Sequence, residues 1–194
     1  MVTVADREAD IYELLEYHLR NNLRFVLRAC WDRRVDEEAG RLWAHMQEAP
    51  ILGTRTVHVS QRGGQGAKEG QKPRKARQAR DAETEIRTSS VTILPPKNRI
   101  TRSNEPLIVN AVLVTEPNPP AGEEALEWLL FTTEDVSTLE SAFKVVRIYE
   151  LRWTIEDFHR CWKTGCRLEE RPLQSLDAVE RMMTIKVPPH FCRP

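Results

Sequence analysis

The sequence predicts a mixed α/β fold, and three observations predict it. From Met1 to Cys30 the chain alternates strand, helix, strand; between Thr54 and Thr115 it changes to strand patterns separated by turn-forming residues. Beyond Pro117 to Gly122 it returns to a buried-type strand followed by helical periodicity. The expected architecture is an α/β core interrupted by a β-rich insertion.

Taken in order, Val2 to Ala5 is a short β-branched run. Ile11, Leu14, Leu15, His18 and Leu19 then recur at helical spacing, and Asn21-Asn22 makes a helix stop. Arg24 to Cys30, RFVLRAC, reads as a strand. A strand, a helix and a strand this close together form one βαβ unit, with parallel strands and a right-handed crossover. Trp31 to about Pro50 is weakly helical, with Leu42, Trp43 and Met46 as its apolar positions. Thr54 to Ser60, Glu85 to Leu94 and Leu107 to Thr115 read as strands, the first and last alternating or β-branched.

Pro117 to Gly122, PNPPAG, closes the insertion, because its prolines continue neither a helix nor a central strand. Leu126 to Thr132, LEWLLFT, is the returning strand. A helix is expected behind Thr133, from Glu134 to Ile148, with Leu139, Phe143, Val146 and Ile148 on its apolar side. Tyr149 to Lys163, YELRWTIEDFHRCWK, reads as the next helix, broken by Gly165. Leu176, Val179, Met182 and Met183 mark a further one, and VPPHFCRP cannot extend it. The expected divisions are 1–50 as the first part of the core, 51–122 as the insertion, 123–186 as core strand and helices, and 187–194 as a tail.

Composition narrows the classes. With 40% hydrophobic and 30% charged residues in 194, the chain reads as globular, and no apolar run approaches the ~20 residues that span a bilayer. No secretory signal precedes the first strand, so the cytosol is the default compartment. Cys30, Cys161, Cys166 and Cys192 form no C-x-x-C pair, and with His159 they match no common zinc spacing. The net charge of zero argues against a nucleic-acid partner, but it conceals a local asymmetry: Arg62 to Arg80 holds seven basic residues and one acidic one. That segment is rich in Gly and Gln with almost nothing apolar, as expected of a basic loop suited to a phosphate backbone or of a solvated linker.

In parallel α/β sheets, chemistry gathers at the carboxyl ends of strands. Asp6 stands at such an end. Asp10 is its neighbour and competitor, but it falls in the expected first helical turn, where the helix dipole accounts for an acid. Arg28 ends the next strand. On a continuous helix Tyr149, Arg152, Glu156 and Lys163 would fall at roughly 0°, −60°, −20° and −40°, which is one face. From spacing alone, Glu156 with Arg152 is an ordinary surface ion pair, and Trp128 in an apolar strand is core.

The order Y-x2-R-x3-E-x6-K over Tyr149, Arg152, Glu156 and Lys163, together with DREADIYELL from Asp6, resembles the bacterial insertion-sequence transposases with an RNase-H-like core and an Asp-Asp-Glu triad. The resemblance implies DNA transposition by metal-dependent cleavage and strand transfer at transposon ends, with Asp6 as second triad aspartate and Glu156 as the glutamate. It further implies that these two hold Mg²⁺ or Mn²⁺ in a two-metal site, that Tyr149, Arg152, Lys163 and Arg28 contact DNA, and that Trp128 accommodates a flipped base. Partners would be DNA, namely the transposon ends, and a second copy in a homodimer of the intact family member. Such a core carries its first aspartate on an earlier strand, and only Met1 to Ala5 precede Asp6. The expectation is therefore a truncated member, inactive alone, or a non-catalytic DNA-binding or interfering protein.

Overall fold

The computed structural model describes residues 1–59, 78–97 and 105–154. The chain divides into two compact units, Met1–Glu150 and Leu151–Pro194; of the second, residues 151–154 are described. The elements of the first unit are β1 (Val2–Ala5), a 3₁₀ turn (Arg7–Ala9), α1 (Tyr12–Arg20), β2 (Arg24–Arg28), α2 (Leu42–Glu48), β3 (Ile51–Val59), β4 (Arg80–Ile93), β5 (Leu107–Thr115), β6 (Glu127–Thr132) and α3 (Leu139–Glu150).

The strands form one sheet of six in the order β1-β2-β6-β5-β4-β3. β1 and β2 are parallel, in register from Val2↔Arg24 to Ala5↔Leu27. Every other neighbouring pair is antiparallel. The strands of 51–122 thus hydrogen-bond into the same sheet as β1 and β2, because β6 pairs with β2 along one edge and with β5 along the other.

Both faces of the sheet are covered, which explains why its central strands read as near-continuous apolar runs. Alternation along each strand divides the residues between two cores. Phe25, Leu27, Val109, Ala111, Leu113, Leu129 and Phe131 pack with Tyr12 and Leu15 of α1 and Leu42 and Met46 of α2. Val26, Val112, Val114, Trp128 and Leu130 pack with Ala142, Val145, Val146 and Tyr149 of α3.

The ends of the helices show where local chemistry decides. α1 stops where expected: Asn22 takes the left-handed conformation at φ 50°, a geometry asparagine tolerates. The Leu23 N–H then reaches the His18 carbonyl at 2.9 Å and the Asn22 N–H the Leu19 carbonyl at 3.2 Å, which satisfies the orphan carbonyls of the last turn.

α3 begins five residues later than the sequence suggests, at Leu139 rather than Glu134. Glu134 is drawn into a two-pronged pair with Arg24, at 2.8 and 2.6 Å. Asp135 accepts from the Ser137 N–H and hydroxyl, and the Thr138 hydroxyl caps the helix by accepting from the Ser141 N–H at 3.1 Å. Ser141 returns the bond to the Thr138 N–H, a reciprocal cap.

Of the helix expected over 149–163, Tyr149 and Glu150 end α3, Leu151 is a turn and 152–154 are helical, while 155–163 and the helix expected after Leu173 lie outside the described residues. Similarly, the weak helical pattern of 31–50 yields only α2.

Candidate functional site

At the carboxyl end of the parallel pair the chain leaves β1 through Asp6, which has extended backbone (φ −91°, ψ −173°) and caps the 3₁₀ turn. Its Oδ1 accepts from the Arg7 N–H at 2.8 Å. The register Ala5↔Leu27 puts Arg28 at the same end of β2, and its Nη1 lies 4.0 Å from Asp6 Oδ1. The antiparallel register Arg28↔Leu130 brings the start of β6 alongside, so Arg28 Nη2 donates to the Glu127 carbonyl at 3.0 Å. A guanidinium fixed at one end by a main-chain carbonyl keeps its charge beside the carboxylate without free rotation.

The fourth participant comes from the last turn of α3. Tyr149 is 1% exposed, and its hydroxyl donates to Asp6 Oδ1 at 3.1 Å. Its ring meets Trp128 edge to face, with centroids 5.1 Å apart and planes at 72°, a favoured aromatic geometry. Trp128 is 7% exposed. The structure therefore brings Asp6, Arg28, Trp128 and Tyr149 together. Arg152 is described within its own short segment, its guanidinium 4.2 Å above the Trp153 ring. Glu156, Lys163 and most of the basic loop lie outside the described residues.

Two buried ion pairs brace this end of the sheet, and neither was evident from the sequence. Asp10 does not begin α1; it follows the 3₁₀ turn, and its carboxylate is committed to the chain. Oδ2 accepts from the N–H groups of Cys30 and Trp31 at 2.7 and 3.0 Å. Oδ1 accepts from Arg33 Nε and Nη2 at 2.8 and 2.6 Å. The pair ties the turn that starts at Asp6 to the loop that follows Arg28. The acid at this position is thus accounted for by a specific cage of donors rather than by the helix dipole.

The second pair joins Arg80 at the start of β4 to Glu116 just past β5, in a two-pronged contact. Glu116 also accepts from the Leu126 N–H at 2.9 Å, immediately before β6. The Arg80 hydrogen bonds hold the Glu116 carboxyl below its ordinary value of 4.5 against the opposing effect of burial, and the Leu126 N–H adds to the lowering.

A hard divalent cation takes oxygen ligands. The Asp6 carboxylate, with its side chain 38% exposed at a strand end, has the right donor chemistry for one arm of such a site. Among the described residues no cluster of three or more His, Cys, Asp or Glu is grouped to hold a metal, and the second expected ligand, Glu156, is not among them. No helix among the described residues is long and apolar enough to cross a membrane.

A family model described as the Transposase DDE domain matches residues 2–187. That domain is RNase-H-like, in keeping with the mixed sheet and its helices, and the family acts on DNA in transposition and generally uses divalent metals. A match over nearly the whole sequence leaves one assignment: the chain belongs to the Transposase DDE domain family.

Proposed function

We propose that this chain is part of a transposase for phosphoryl transfer at the ends of an insertion sequence, contributing Asp6 and Glu156 as two of the three metal-holding carboxylates and inactive without the third. The observation that carries the proposal is the convergence of Asp6, Arg28 and Tyr149 at the carboxyl end of β1 and β2. Mg²⁺ or Mn²⁺ bound there would stabilise charge on the attacking and leaving oxygens of a phosphate ester.

The chain's own groups would do the rest. Arg28, Arg152 and Lys163 supply cations for phosphate oxygens, the arginines as planar forks and the lysine as a point charge. The Tyr149 hydroxyl gives its one proton to Asp6 Oδ1, so its part lies with the carboxylate. Trp128 is buried beside Tyr149 in the core under α3, so stacking a displaced base on its face would require that packing to open. The basic residues from Arg62 to Arg77 would add contact with the DNA backbone. In the intact assembly a second copy would complete the pairing of two DNA ends.

The test uses the purified chain, Mn²⁺ and a short duplex. Asp6→Asn and Glu156→Gln should each weaken Mn²⁺ binding in calorimetry. Arg28→Ala should weaken DNA binding and lower the salt slope by about one. Metal affinity indifferent to both carboxylates, or cleavage that survives Asp6→Asn, would overturn the catalytic reading. DNA binding that depends on Arg28 in a chain indifferent to Asp6 would instead favour a non-catalytic DNA-binding protein.

A further inference from the structure

Tyr149 stands in two places at once: its ring is part of a core, and its hydroxyl is at the site. The ring is 1% exposed and packed on the α3 face of the sheet with Val26, Val112 and Leu130. It is further fixed by the edge-to-face contact with Trp128. From that fixed position the hydroxyl reaches Asp6 Oδ1 at 3.1 Å. The Arg7 N–H and the Arg28 guanidinium approach the same oxygen.

A carboxylate on one strand end has a free torsion about its Cα–Cβ and Cβ–Cγ bonds. Anchoring one oxygen with donors from different directions fixes the plane of the group, and hence the direction in which the other oxygen points. Arg7 N–H is local to the turn and moves with Asp6. The Arg28 contact is long. The tyrosine donates at hydrogen-bond distance from a separate element, 143 positions away.

We infer that Tyr149 is a positioning residue for Asp6: it orients the carboxylate for a divalent cation, with Trp128 holding the phenol ring in place. This rests on the reading of Asp6 as a metal ligand and deepens it. It assigns the tyrosine a duty in the absence of DNA, separate from any contact with a phosphate. Donors behind a metal-ligating group set its orientation, and their loss commonly costs tenfold or more in metal affinity.

The experiment measures Mn²⁺ binding to the purified chain with no DNA present, for wild type, Asp6→Asn and Tyr149→Phe. Tyr149→Phe keeps the ring and removes only the hydroxyl. The expected result is about a tenfold weaker affinity in Tyr149→Phe, with an unchanged thermal melt. An affinity equal to wild type would overturn the inference while leaving Asp6 as a ligand, provided Asp6→Asn loses binding. Should Asp6→Asn bind as wild type does, the underlying reading falls and the inference with it.

A second measurement needs no variant at position 149. The chain has three tyrosines, Tyr12, Tyr17 and Tyr149. With carbon-13 at the phenolic carbon, Tyr12→Phe and Tyr17→Phe identify their own signals and so leave the third. Titration with Mg²⁺ should move that third signal most, with the midpoint of metal binding. A third signal that stays still through saturation would refute the inference.

Discussion

Removing the Asp10 carboxylate should be strongly destabilising, and the cost can be worked from its contacts. The side chain is 0% exposed and its partner Arg33 is 11% exposed. Asp10→Ala strands a nearly buried guanidinium and removes the acceptor of two main-chain N–H groups, those of Cys30 and Trp31. Breaking a buried pair from one side costs about 3–5 kcal/mol, because the remaining charge is left uncompensated. A domain's whole stability is typically about 5–15 kcal/mol, so the loss should be plain in a urea titration.

The companion variant sharpens the test. Arg33→Ala leaves the buried carboxylate with its two N–H donors, and the double variant Asp10→Ala/Arg33→Ala removes both charges together. The double variant should therefore cost less than the sum of the singles by roughly 0.5–3 kcal/mol, the range of direct coupling. A loss below about 1 kcal/mol in Asp10→Ala, or strict additivity in the cycle, would refute the reasoning.

Two further outcomes follow from named contacts. The Glu116 carboxyl is held below its ordinary 4.5 by Arg80, so its contribution to stability is present above that pH and lost as pH falls through the lowered value. The gap in melting temperature between wild type and Glu116→Gln should be wide at pH 7 and narrow steadily below pH 4.5; a gap that is constant down to strong acid would contradict this. Thr138→Ala should destabilise by about 1 kcal/mol through loss of the α3 cap, while Thr138→Ser should be nearly silent. Equal effects of the two in denaturant titrations would show that the cap is not what starts the helix.

The strands were legible because their burial on two faces leaves a mark in composition. LIVNAVLVT at Leu107–Thr115 is apolar nearly throughout, since Val109, Ala111 and Leu113 serve one core and Val112 and Val114 the other. The start of α3 was not legible, because Thr133, Asp135, Ser137 and Thr138 are all residues able to cap, and the decision fell to Arg24, which claims Glu134 from far away in sequence. The turn at Leu151 has no signal in the residues around it for which we have a physical account.

The candidate site divides the same way. Asp6 and Arg28 stand at strand ends that the sequence marks, and the parallel register brings them level. The hydrogen bond from Tyr149 and the cage around Asp10 depend on side chains meeting across tertiary structure. Periodicity carries no record of such meetings. A buried acid next to a helix start looks the same in sequence whether the helix dipole or an arginine holds it.

The pairing of β2 with β6 has a consequence in time. β1, α1 and β2 are made before the rest of the sheet and can pair at once, but the other edge of β2 waits for Glu127–Thr132, and the hydroxyl that meets Asp6 waits for the end of α3. At about 5–20 residues per second, the roughly 100 intervening residues take on the order of 5–20 s. Contacts of such long sequence separation also close slowly after the chain is free. Through that interval the edge of β2 that β6 will cover stays open, which is a surface for unwanted pairing. The sheet order thus delays the full constellation until synthesis has passed Tyr149, and chaperone capture of that open edge would be expected to show up in ribosome-bound chains stalled between β2 and β6.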